Sequence, residues 1–176
     1  MNQQKTEEAI SHYKMSIKLN SNYYVAHNNL GVALMSQQKT EEAISHYKKA
    51  IKLNPNYYVT HNNLGVALMY EQKTKEAISH YKKAIKIGSN EPEFYSDLGD
   101  ALWHNGQIKE ANQFLRSAVE MDPSHSRANY QLAIFLYDNK MFEEAIKYFE
   151  ASQFQDWEER TLYCLYKLEN FNQFEA

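Results

Sequence analysis

Residues 2–35 and 36–69 of this chain are nearly the same sequence written twice, identical at 29 of 34 positions. They differ only at Asn2/Ser36, Met15/Lys49, Ser16/Ala50, Ser21/Pro55 and Ala26/Thr60. A period of this length means one small supersecondary element stacked on copies of itself. Each copy contacts its neighbours alone, and the stack buries a continuous core that a single copy could not. Such stacks build long concave surfaces suited to holding other chains.

Within one period, apolar and small residues recur every three or four positions. His27, Leu30, Gly31 and Leu34 lie on one helical stripe, and Ala43, Tyr47, Ala50 and Ile51 on a second. The polar run Gln37-Gln38-Lys39-Thr40 separates them. Thr40 is expected to cap the second helix, with Glu41 and Glu42 at its positive end. Asn54-Pro55 is expected to close it, because Asn tolerates a left-handed turn and Pro cannot continue a helix. Each copy therefore reads as helix, tight turn, helix, short loop. Gly31, repeated as Gly65 and Gly99 with Ala133 in the next copy, costs helix stability by up to about 1 kcal/mol relative to Ala. A recurrent cost implies a recurrent reason, the close approach of the paired helix. Ala43, Ala77, Ala111 and Ala145 mark the matching contact, and Tyr47, Tyr81, Leu115 and Phe149 fill the remaining space.

These residues resemble the tetratricopeptide repeat (TPR) pattern: an aromatic, Leu-Gly, an aromatic or Leu, then Ala, an aromatic, Ala and Pro at fixed offsets. The first complete copy reads His27, Leu30, Gly31, Leu34, Ala43, Tyr47, Ala50, Pro55. The second reads His61, Leu64, Gly65, Leu68, Ala77, Tyr81, Ala84, with Ser89 in place of Pro. The third reads Tyr95, Leu98, Gly99, Leu102, Ala111, Leu115, Ala118, Pro123. The fourth reads Asn129, Leu132, Ala133, Leu136, Ala145, Phe149, then Ser152 and no Pro. The leading aromatic is thus His twice and Asn once. The resemblance implies an all-α fold, a right-handed superhelical solenoid of stacked helix-turn-helix units. One array is expected: a half repeat over 5–23, full repeats over 24–57, 58–91, 92–125 and 126–159, and a degenerate partial repeat over 160–176. Residues 5–19 supply only a second helix, with Ala9 and Tyr13 in its slots. After residue 152 the register slips, and Asn170-Phe171-Asn172-Gln173-Phe174 reads as the start of another second helix. The Trp157–Leu168 helix is a makeshift cap. Because each end cuts through a repeat, the chain is expected to be a segment of a longer TPR protein, or an incomplete reading of one, and its uncapped ends invite self-association.

The resemblance also implies that the first helix of each copy lines the concave face. Residues turned from the Leu-Gly stripe there include Val25, Asn28, Asn29, Val32 and Met35, then Val59, Asn62, Asn63, Val66, Met69 and Tyr70. An Asn carries donors and an acceptor, so it can bond a peptide backbone without reading side chains. Asn29 and Asn63 on stacked copies would sit roughly 10 Å apart, the spacing of packed helices. That spacing is similar to the asparagine ladder in the TPR arm of protein O-linked N-acetylglucosamine transferases. The equivalent residues in later copies are Asp97 and Gln131. The alternative is that Asn is merely a tolerated polar residue in an Asn-rich repeat. In the third and fourth copies Glu93, Asp97, Asp100 and Trp103, then Arg127, Tyr130 and Tyr137, replace the neutral lining. Acids beside aromatics favour a Lys or Arg of a ligand; a solvated acidic face with packing aromatics is the other reading.

The expected function is a non-catalytic interaction scaffold that holds an extended peptide or a partner helix. The alternatives are the substrate-recruiting arm of a larger glycosyltransferase-like enzyme, or a spacer that self-associates. The TPR subclass that captures chaperone C-terminal carboxylates needs Lys and Arg where this chain has Asn28, Val59 and Asp97, so chaperone tails are not expected. The net charge of −3 gives no general attraction to nucleic acid or anionic membrane. Apolar runs such as Ala133–Tyr137 are too short to span a bilayer. The polar N-terminus lacks a signal-peptide core, and the lone Cys164 cannot form an internal disulfide, which together fit a reducing, cytoplasmic setting. His12, His46 and His80, like His27 and His61, follow the period; equivalent histidines on stacked copies lie too far apart to share one ion, so no metal is expected. His27 and His61 fall in a core aromatic slot. No phosphate loop, catalytic serine motif or paired-carboxylate pocket is present, and neither a cofactor nor a catalytic residue is expected.

Overall fold

The computed structural model of the protein describes residues 3–88 and 90–172. The described residues form α-helices and no strand: α1 (Gln3–Leu19), α2 (Tyr24–Ser36), α3 (Thr40–Leu53), α4 (Tyr58–Tyr70), α5 (Thr74–Ile87), α6 (Pro92–His104), α7 (Ile108–Met121), α8 (Ser126–Asp138), α9 (Phe142–Ser152) and α10 (Trp157–Asn172). They divide into two compact units, Met1–Ser89 and Asn90–Ala176. In unit 1, each helix from α1 to α5 packs on the next, and α2 also touches α4. In unit 2, α6 through α10 do the same, with α6 touching α8.

The small residue on each first helix is what lets the paired helices close. A Cβ built on Gly31 would lie 2.5 Å from the Tyr47 ring, and one on Gly65 would lie 2.5 Å from Tyr81. Leu115 occupies the same space against Gly99, at 2.7 Å. Ala43, Ala77, Ala111 and Ala145 are fully buried on the second helices, as are Ala133 and Phe149 in the fourth copy. Within each unit the core is therefore a row of small residues against large ones, layer upon layer.

The turns differ from expectation in two details. Thr40 is the first residue of α3, and Lys39 precedes it without any side-chain cap. The turn is made instead by closing α2: Lys39 N–H donates to Leu34 O at 3.0 Å and Gln38 N–H to Met35 O at 2.9 Å, with Gln38 left-handed at φ 61°. Gln72, Gly106 and Lys140 repeat that left-handed residue at φ 58°, 79° and 62°. Thr40 lies inside the helix, one residue past the cap position, so its hydroxyl does not serve as the cap. Asn54 is extended at φ −140°, not left-handed. Its Oδ1 accepts from Asn56 N–H at 3.1 Å, an Asx turn that Asn20 and Asp122 repeat. At the C-terminal side, Asn170 to Asn172 continue α10 and do not begin a separate helix; Gln173 and Phe174 lie outside the described residues.

Replacing Gly31 or Gly65 by Ala improves helix propensity by about 1 kcal/mol, yet drives a methyl into a tyrosine ring that is itself boxed in. Overpacking of this kind costs about 1–3 kcal/mol. Thermal unfolding should therefore show each variant destabilised, and a neutral or raised Tm would remove close approach as the reason for these glycines.

Candidate functional site

In unit 1 the asparagines form one network. Asn28 is 2% exposed, and its Oδ1 accepts from Thr60 Oγ1 at 3.0 Å and from Asn63 Nδ2 at 3.0 Å. Its own Nδ2 donates to Asn29 Oδ1 at 3.1 Å. Asn28 was expected on the open face, but it lies inside the contact between α2 and α4. Its amide joins the two helices and orients its neighbours. Asn62, one turn of the repeat later, is buried too, at 4%. Asn29 and Asn63 remain half-exposed. Among the described residues, Asn29 is engaged through its Oδ1 and Asn63 through one Nδ2 hydrogen. Tyr70, at the C-terminal end of α4, is 73% exposed.

In unit 2 the corresponding slots are filled from within. Arg127 on α8 donates from Nη1 to Glu93 Oε1 at 2.7 Å and from Nη2 to Asp97 Oδ1 at 2.6 Å, both on α6. Asp97 is only 4% exposed, so the arginine neutralises a buried carboxylate. The cation that this acidic lining was expected to draw from a ligand is already supplied by Arg127. Burial pushes the half-buried Asp100 carboxyl up, and His104 and Arg127 partly oppose that. Trp103 meets Phe135 edge-on, with ring centroids 5.6 Å apart. Gln131 is half-buried, and its Oε1 has no hydrogen-bond partner among the described residues.

Tyr130 turns toward the segment that follows α9. Its hydroxyl donates to Asp156 at 3.1 Å and its ring stacks on Phe154 at 4.6 Å. Arg160 donates from Nε to Asp156 at 2.5 Å, with its guanidinium 5.4 Å from the Tyr130 ring centre. The arginine holds the Asp156 carboxyl below its ordinary range, and burial raises the Tyr130 phenol. Asp156 and Arg160, with Tyr137, Phe149, Tyr163 and Tyr166, border a cleft of about 820 Å³ between α8, α9 and α10. The period gave no warning of Arg160, Tyr163 or Tyr166, because the register has slipped there. Their signal was the run Leu162-Tyr163-Cys164-Leu165-Tyr166, in which Leu162 and Tyr166 are 69% and 57% exposed while Cys164 is buried.

Charge is divided unevenly. Unit 1 carries twelve Lys against six Glu, for a formal +6; unit 2 carries seven basic against sixteen acidic residues, for −9. No metal-binding group of three or more His, Cys, Asp or Glu occurs among the described residues. No described helix is long and apolar enough to cross a membrane.

Sequence models of the tetratricopeptide repeat match residues 24–57, 46–79, 67–106 and 102–156. The chain is built of tetratricopeptide repeats. No curated protein matches it. Among solved structures, it is similar to YrrB, described as a TPR protein with an unusual peptide-binding site, at 24% identity, TM-score 0.71, and 90% and 84% of the two chains. It is similar to MamA at 23% identity and TM-score 0.72, over 89% and 91%. It also matches PilF of Pseudomonas aeruginosa at 16% identity and TM-score 0.78, over 96% and 85%. At these identities the likeness is one of fold.

Within this TPR fold Arg127 is the residue on which unit 2's lining depends. Arg127→Ala should destabilise the protein by about 1–3 kcal/mol, since it strips a charged partner from a buried carboxylate while half of the guanidinium was already in water. Adding Asp97→Asn should recover part of that loss in denaturant unfolding. A double variant no more stable than the single one would show that the Asp97 charge is not the source of the cost.

Proposed function

We propose that this TPR protein is a scaffold that binds an extended polypeptide along the first helices of unit 1, using Asn29 and Asn63 to bond its backbone. The observation that carries this reading is the division of labour among the asparagines. Asn28 is consumed in holding α2 to α4, and in doing so it fixes the amides of two half-exposed neighbours. Asn29 then offers donors and Asn63 offers an acceptor with a donor, the pair of functions that one peptide unit requires. Preset amides lose less freedom on binding than free ones. The flanking half-exposed Val66 and Met69 and the exposed Tyr70 give a ligand side chain apolar surface to lie on.

A second reading is favoured by α10, whose exposed Leu162, Leu165, Tyr163 and Tyr166 could seat a partner helix or a second copy of the chain. Sedimentation over a range of concentrations separates this from the first reading. A strictly monomeric profile argues against the second copy.

The primary test is a screen of unstructured peptides followed by titration calorimetry on the hits. Asn29→Ala with Asn63→Ala should weaken binding about tenfold in a chain that stays folded, in keeping with the loss of two hydrogen bonds to the ligand at about 0.5–1.5 kcal/mol each, and should also lower Tm, because both side chains bond the buried Asn28 amide. Asn28→Ala should lower stability as well. Unchanged affinity in the Asn29/Asn63 double variant would remove the asparagine reading.

A further inference from the structure

Two histidine pairs join first and second helices in unit 1. His27 Nδ1 lies 3.0 Å from His46 Nδ1, linking α2 to α3. His61 Nδ1 lies 3.1 Å from His80 Nδ1, linking α4 to α5. The ring centroids are 5.3 and 5.4 Å apart. That exceeds the nitrogen separation by about the width of one ring, so the two nitrogens face each other head to head. This is the arrangement of one shared proton. No third His, Cys, Asp or Glu completes a metal-binding group with either pair among the described residues, so an ion here would have only two protein ligands. Lys14 and Lys49 by the first pair, and Lys48 and Lys83 by the second, would also repel it.

The surroundings fix where the protons are. His27 Nε2 lies 3.3 Å from Ser21 O and His61 Nε2 lies 3.0 Å from Pro55 O. A carbonyl only accepts, so both Nε2 atoms carry hydrogen, and the neutral rings have bare Nδ1 atoms. His46 and His80 therefore donate from Nδ1. One extra proton per pair can sit on Nε2 of His46 or His80 without disturbing the shared bond. A second would set N–H against N–H. In unit 2 the same two slots of the third copy hold Tyr95 and Phe114, whose rings meet at 5.9 Å and offer no group that gains a proton near neutrality.

We propose that the His27–His46 and His61–His80 pairs are an acid-sensitive latch that lets unit 1, and not unit 2, open its helix pairs as the pH falls below neutral. Burial lowers the pKa of all four histidines, and the partner ring lowers His46 and His80 further. Of the charged groups facing them, Lys14, Lys49, Lys48 and Lys83 act in the same direction, while Glu42 and Glu76 on α3 and α5 oppose it, as do the Ser21 and Pro55 carbonyls. Apart from its histidine, neither α2 nor α4 carries a residue charged near neutral pH. A histidine with a lowered folded-state pKa binds fewer protons folded than unfolded. Its contribution is complete above the unfolded value near 6.5 and is lost as the pH drops from there through the folded value.

The test is amide hydrogen exchange on the full chain at pH 7.5 and pH 5.0, expressed as protection factors so that intrinsic rates cancel. All four depressions act in the same direction, so α2–α5 should lose protection several-fold relative to α6–α9. The variant His27→Tyr, His46→Phe, His61→Tyr, His80→Phe imports the unit 2 pair and should abolish the difference. Equal acid responses in the two units, or an undiminished response in a folded quadruple variant, would overturn the proposal. Should that variant not fold, nitrogen NMR of the unaltered chain decides. At pH 7.5, His27 and His61 must carry Nε2–H, and His46 and His80 Nδ1–H; any other pattern excludes the latch.

Discussion

Everything in this fold depends on how closely the first and second helices of a copy approach. Gly31 and Gly65 leave room for the rings of Tyr47 and Tyr81, and Gly99 leaves room for Leu115. The absence of one methyl sets the spacing, and the spacing sets which other side chains can meet. The histidine pairs at 3.0 and 3.1 Å exist because α2–α3 and α4–α5 are this near. The same closeness leaves Ala43 and Ala77 no exposed surface at all. A larger residue at the glycine slot would move a helix, and with it every contact the helix makes on its other side.

That other side is where the sequence was hardest to read. A stripe of period 3.6 assigns each residue one face, and on that count Asn28 points away from the Leu30–Leu34 core. A first helix in a stack, however, has two neighbours, its own second helix and the next first helix. α4 approaches from the side that the stripe leaves open, and Asn28 is buried there. The clue was among the five differences between the two copies. Thr60, which replaces Ala26, supplies the hydroxyl that bonds Asn28. The column of small residues was legible because it obeys one contact repeated many times. The left-handed turn at Gln38 and the cleft beside α10 were not. The first is set by backbone hydrogen bonds that most residues can make, and the second lies where the period has broken.

In a stacked repeat, residues one period apart are neighbours in space, so a change in one copy is answered at or near the same slot in the next. Glu93 and Arg127 are 34 residues apart and occupy one slot with opposite charges. Asn28 and Asn63 lie one residue from that relation and share a hydrogen bond. This explains how a lining can change its chemistry from copy to copy: Asn28, Glu93 and Asp97 are satisfied across the stack, whereas Gln131 Oε1 has no hydrogen-bond partner among the described residues.

The two units have followed that rule to different ends. Unit 1, at +6 overall, lines its first helices with neutral amides and keeps its lysines on the second helices and in the turns that precede them; Lys48, Lys49, Lys82 and Lys83 are exposed. Unit 2, at −9, commits its buried Asp97 to Arg127 and its Tyr130 to Asp156. A ligand cation arriving at Asp97 must displace an arginine already bound at 2.6 Å, whereas a peptide arriving at Asn29 and Asn63 meets amides held in place and still partly unbonded. Desolvating a neutral amide costs far less than breaking a charged pair. On the function we propose, a polypeptide of no particular sequence would therefore be held at lower cost by the near-identical copies than by the acidic and aromatic ones.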